Sequence, residues 1–69
     1  MTNHEEHILR VLGGSTEPLF TSEIAELLNL ELRPATAYTT IKVVRVLQDL
    51  HEQAVQLADG RWMLKRLML

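Results

Sequence analysis

Cysteine is absent from the 69 residues, which excludes a disulfide framework and any thiolate metal site. Aromatic side chains are few: Phe20, Tyr38 and Trp62 are the whole set. Glycine is confined to positions 13, 14 and 60 and proline to 18 and 34, so the chain has neither a glycine-rich phosphate loop nor a proline-rich linker. No apolar run approaches the roughly 18 to 20 residues that a membrane span needs. His4, Glu5 and Glu6 stand where a secretory signal would carry its basic start, so a cytoplasmic location is expected. No Ser or His is grouped with a plausible base and orienter, so neither catalysis nor a cofactor is expected.

What is present suits one small globular domain. Apolar residues make up 46% and charged residues 23%, a composition that folds rather than stays disordered. A chain of this length buries only about 60% of the surface that it exposes when unfolded, so its core must be economical. The net charge of −2 argues at first against an anionic partner, but the charges are segregated. Up to residue 32, Arg10 is the sole Lys or Arg among six glutamates. From Arg33 onward, Arg33, Lys42, Arg45, Arg61, Lys65 and Arg66 outnumber Asp49, Glu52 and Asp59. A chain so divided can present a positive face to an anion while its back stays negative.

The periodicity gives three helices and a hairpin, an α+β class that is mainly α, with residues 1–69 forming a single domain. A first helix, at about 4–13, starts from the capping-box pair Asn3 and Glu6, buries Ile8, Val11 and Leu12, and stops at the two glycines. His4 and His7 lie one turn apart on it, but no third ligand stands nearby in sequence, so no metal site is expected. Leu19 and Phe20 are too short for an independent strand, yet they can add an edge to a sheet formed elsewhere. A second helix, at about 22–28, has Thr21 as its cap, Glu23 in its first turn and Ile24, Leu27 and Leu28 on its buried face. Asn29 is expected to end it in the left-handed conformation.

The third helix, at about 34–53, organises the rest. Pro34 suits a first helical turn, and Thr36, Thr40, Val43, Leu47, Leu50 and Ala54 fall on one stripe at the helical period. Tyr38, Lys42, Arg45 and Asp49 fall on the opposite side. That outward ridge is a candidate reading surface, although such side chains on a helix are more often merely solvated. After Ala54 the pattern alternates, and Asp59-Gly60 reads as a two-residue hairpin turn within a hairpin at about 54–65. That turn pairs Leu57 with Trp62 and Val55 with Leu64, leaving Arg61 outward at the tip and Trp62 inward against the third helix.

Three helices followed by a hairpin resemble the winged helix-turn-helix domain, and the likeness spans Ile8 through Leu64. The run Thr21 to Leu28 looks like the second helix of many bacterial regulators, and Val46 to Val55 looks like the end of their third. Ala37-Tyr38-Thr39-Thr40-Ile41 is similar to the start of the recognition helix in the penicillinase-repressor type. The resemblance implies that the third helix enters a DNA major groove while the wing tip reaches a phosphate or the minor groove. It maps the contacts onto Arg33, Tyr38, Thr39, Lys42, Arg45 and Arg61. Sequence-specific binding of double-stranded DNA by a small transcriptional regulator is the leading expectation, and a winged-helix protein-interaction module is the alternative. With no additional domain to form a pocket, no small-molecule ligand is expected. Leu67, Met68 and Leu69 form an apolar tail that suits a homodimer contact, which would set two recognition helices about 34 Å apart on an inverted repeat.

Overall fold

In the computed structural model, which describes residues 3–67, the first helix α1 spans Asn3–Gly14. Ile8, Val11 and Leu12 recur at helical spacing and are its buried residues, as the pattern requires. The second helix α2 spans Thr21–Leu32 and is longer than expected at its C-terminal end. Its N-cap is Phe20 rather than Thr21. Phenylalanine has no acceptor, so half of a capping box does the work: the Phe20 N–H donates to the Glu23 carboxylate at 2.8 Å, satisfying an otherwise orphaned donor at the helix start. The helix runs through Asn29 and ends at Arg33, whose φ of 45° and ψ of 54° are left-handed. Holding a non-glycine residue there costs on the order of 1–2 kcal/mol, and Pro34 immediately after prevents the helix from continuing.

The third helix α3 spans Thr40–Asp49, shorter than the expected 34–53 at both ends. Residues 34–39 are not helical, because Asn29 takes the backbone that a helix would need. Its side-chain oxygen accepts from the Tyr38 N–H at 2.7 Å, and its amide donates to the Tyr38 carbonyl at 3.1 Å. Thr39 then caps α3, its hydroxyl oxygen accepting from the Lys42 N–H at 3.2 Å. At the other end Leu50 caps the helix, and the Gln53 and Ala54 N–H groups both close back onto the Leu50 carbonyl at 2.9 Å. The loss of helix before Thr40 breaks the phase of the predicted stripe. Val43, Leu47, Leu50 and Ala54 are buried as expected, but Thr36 and Thr40 are exposed, and Tyr38 is in the core.

Two strands follow, β1 at Ala54–Gln56 and β2 at Trp62–Leu64, antiparallel. Their register is one residue from the expected one: Ala54 faces Leu64, Val55 faces Met63 and Gln56 faces Trp62. The connection is not a two-residue Asp-Gly turn. The Leu57 N–H donates to the Arg61 carbonyl at 2.7 Å, the Gly60 N–H donates to the Leu57 carbonyl at 3.0 Å, and Gly60 has φ 96°. This is a three-residue loop with glycine in the left-handed position, the next most common hairpin closure. A one-residue slip turns alternate side chains over, so Ala54 joins Trp62 and Leu64 in the core while Val55 and Leu57 are half-buried.

Leu19 supplies the edge that its short apolar pair allowed, exchanging backbone hydrogen bonds with Trp62 at 2.9 and 2.7 Å. The hairpin is thereby tied to the segment before α2, and β2 packs chiefly on α1 rather than on α3. A short 3-10 turn at Lys65–Leu67 follows. Leu67 is exposed, and the other two residues of the expected dimer tail, Met68 and Leu69, lie outside the described residues. One core joins the three helices, the Leu19 edge and the two strands, and no polar or charged residue among those described is buried in it. Helix, edge strand, two helices and hairpin in this order make an α+β fold of winged-helix type. Among the described residues, no helix is long and apolar enough to cross a membrane.

Candidate nucleic-acid interface

The outward side of α3 is set by what its inward side buries. Val43 and Leu47 are fully enclosed and Leu50 nearly so, which turns Ile41, Arg45, Gln48 and Asp49 to solvent, all of them exposed. Arg45 makes neither an ion pair nor a side-chain hydrogen bond with any described residue, although Asp49 stands one turn further along. Lys42, one turn before Arg45, is half-buried. Its ammonium lies 5.1 Å from the centre of the Tyr38 ring, within the range of a cation–π attraction.

Tyr38 was expected on the reading ridge, and the structure corrects this. The residue is 7% exposed, because it precedes α3 and does not share its helical phase. Its hydroxyl lies 2.7 Å from the His4 Nδ1 of α1, and the two rings meet edge to face at 5.4 Å. Asn29 of α2 holds its backbone. Tyr38 is therefore a post on which the start of α3 rests, tied to both other helices and unavailable to a ligand except through Lys42 above it. Thr39 is exposed, but its oxygen is committed to the cap. Its O–H remains a donor, which is what a phosphate oxygen accepts.

Arg33 is exposed at the left-handed end of α2. Arg61 does stand at the hairpin tip, yet it is not an outstretched cation. Its Nε donates to the Asp59 carboxylate at 2.6 Å, and its backbone N–H donates to the same carboxylate at 3.1 Å. That backbone hydrogen bond, above all, holds the Asp59 carboxyl below its ordinary pKa, with the Arg61 guanidinium adding to it. The site thus divides. Tyr38, Thr39 and Lys42 are brought together, Arg45 continues the same helix, and Arg33 and Arg61 stand on separate elements.

Ile41 and Gln48 were missed by the sequence reading. They flank Arg45 at four residues before and three after, so both share its side of the helix. At 100° per residue both lie within about 60° of Arg45 wherever the helix begins, whereas Tyr38 shares that ridge only if the helix runs back to Pro34, which it does not. Comparison with known protein families, characterised proteins and solved structures finds no match.

Proposed function

We propose that the protein is a sequence-specific reader of double-stranded DNA within the winged helix-turn-helix superfamily, and a small transcriptional regulator. The observation that carries this is Arg45: an unpaired guanidinium on the outward side of the third helix, in a fold whose third helix is the groove-entering element of the superfamily. In this reading Arg45 bonds a guanine edge, and Arg33, Lys42 and Arg61 contact phosphates with Thr39 donating a further bond. Tyr38 contributes by fixing where the helix begins. Two copies on an inverted repeat would double these contacts, with Leu67 as the described part of their shared surface.

A second reading, docking to a protein, is favoured by the exposed Leu30 and Leu32 of α2. Titration of a mixed-sequence duplex at increasing salt separates the two. Three neutralised phosphates per chain, those met by Arg33, Lys42 and Arg61, give a slope of log affinity on log salt of about −2.7, a loss of roughly fortyfold between about 50 and 200 mM salt. Absence of binding at the low end would overturn the DNA reading in favour of the docking one.

A further inference from the structure

Ile41 is 70% exposed, more than Phe20, Leu30, Leu32 or Leu67. Single exposed aliphatic residues are ordinary on protein surfaces, so exposure alone decides nothing. Position does. Ile41 is the second residue of α3 and shares one side of it with Arg45 and Gln48 at spacings of four and three, opposite the enclosed Val43 and Leu47. The exposed residues that share its side, Arg45 and Gln48, are polar, and the apolar Val44 one turn on is half-buried, so Ile41 is the exposed apolar point of a hydrogen-bonding ridge. A β-branched residue in an exposed first turn adds little to the helix or to the core.

The DNA major groove has one apolar feature, the C5-methyl group of thymine; every other mark on the base edges is a hydrogen-bond donor or acceptor. A side chain without polar atoms can distinguish bases there only through that methyl. We infer that Ile41 is a specificity-determining residue that selects thymine by packing against its methyl group, an inference that rests on the DNA reading above. The side chain is held ready for this. Its χ1 is stiff because it is β-branched, and the backbone of its turn is fixed by the Thr39 cap on one side and the Asn29–Tyr38 pairing before it.

The same geometry sets the spacing. Ile41 and Arg45 are separated by about 6 Å along the helix axis, from a rise of about 1.5 Å per residue. Base pairs repeat every 3.4 Å or so, and a recognition helix lies in the groove with its N-terminal residues against the base edges. Ile41 and Arg45 therefore address base pairs about two steps apart, a thymine and a guanine.

The test uses the full chain and a pool of random-sequence duplexes, from which bound sequences are enriched and read. Each thymine of the preferred duplex is then replaced in turn by uracil, which removes the methyl and nothing else. One thymine, about two base pairs from the guanine that Arg45→Ala no longer selects, is expected to respond with roughly a fourfold loss of affinity, as for one buried methyl-sized group. Ile41→Ala should abolish that response while Ile41→Val retains it. An enriched duplex in which no uracil matters, measured on the unaltered protein, would overturn the assignment, and so would a response that persists in Ile41→Ala. Either result leaves the DNA reading intact. A pool that yields no enrichment at all overturns both.

Discussion

Tyr38 and Trp62 are both buried aromatic rings, each beside a cation of the candidate interface, yet they are anchored by opposite means. Tyr38 is held by side chains: His4 meets its hydroxyl and Asn29 its backbone. Trp62 is held by main chain, bridged to Leu19 on one edge and paired with Gln56 on the other, while its indole N–H has no partner among the described residues. The cations differ to match. Lys42 rests on the Tyr38 face through a weak, undirected attraction and can move toward an anion. Arg61 is fastened to Asp59 within its own turn. The helix end of the surface is therefore adaptable above a side-chain network, and the wing end is preset by backbone geometry.

The largest test of this contrast is removal of a ring. Trp62→Ala should cost about 3–5 kcal/mol by denaturant titration, most of the stability of a domain this small. Trp62→Phe should cost far less, since it also removes an unpartnered buried donor. Trp62 fluorescence should be blue-shifted in the native state, and a water-like emission maximum would break the comparison at its root.

Next in size are the cations. Arg45→Ala should weaken binding to a preferred duplex by about 1–3 kcal/mol and relax selection at one position, with stability changed by no more than about 0.5 kcal/mol. Arg61→Ala should instead weaken all duplexes alike and reduce the salt slope by about 0.9. If Arg61→Ala altered sequence preference, the distinction between an adaptable reader and a preset phosphate contact would fail.

Tyr38→Phe is smaller still. It deletes the hydrogen bond to His4 while leaving the ring, the Asn29 pairing and the support under Lys42, so a loss of about 0.5–1.5 kcal/mol in stability is expected. A larger loss would mean that the hydroxyl, rather than the backbone pairing, positions α3.

The smallest effect concerns acid. The pKa of Asp59 is lowered in the folded chain by the Arg61 backbone amide first and the Arg61 side chain after it. Its contribution to stability is therefore present above the usual carboxylate range and is lost as pH falls through the depressed folded value. Melting curves of Asp59→Asn and the unaltered chain should draw together as pH is lowered from about 5 to about 3. Curves that stay equally separated across that range would show that the carboxylate charge does not hold the wing turn.

Much of the architecture was legible in the residues. Ile8, Val11 and Leu12, and then Val43, Leu47 and Leu50, recur at the helical period because each helix has a single face to bury, and they lie in the core as read. The alternation after Ala54 with a glycine at the turn likewise announced a hairpin. Arg45 was correctly placed outward, since its phase follows from the core residues of its own helix. The local signals were weaker wherever one segment had two acceptable conformations. Asp59-Gly60 can close either a two-residue or a three-residue loop, and the longer one goes with the burial of Ala54 opposite Leu64.

Sequence alone, then, determined the order of the elements, the apolar faces of α1 and α3 and the outward phase of Arg45, because periodicity and turn chemistry act over a few neighbouring residues. The tertiary structure decided where α3 begins, which way Tyr38 turns and in which register the hairpin closes. Residues 34–39 read as helix until a side chain nine positions earlier, Asn29, takes the Tyr38 N–H and carbonyl, and no local period records a hydrogen bond supplied from another helix. His4 then reaches Tyr38 from 34 positions away. Such partners meet only after the chain has folded back on itself, which is why a reading of neighbours set Tyr38 on the surface and the assembled core drew it in.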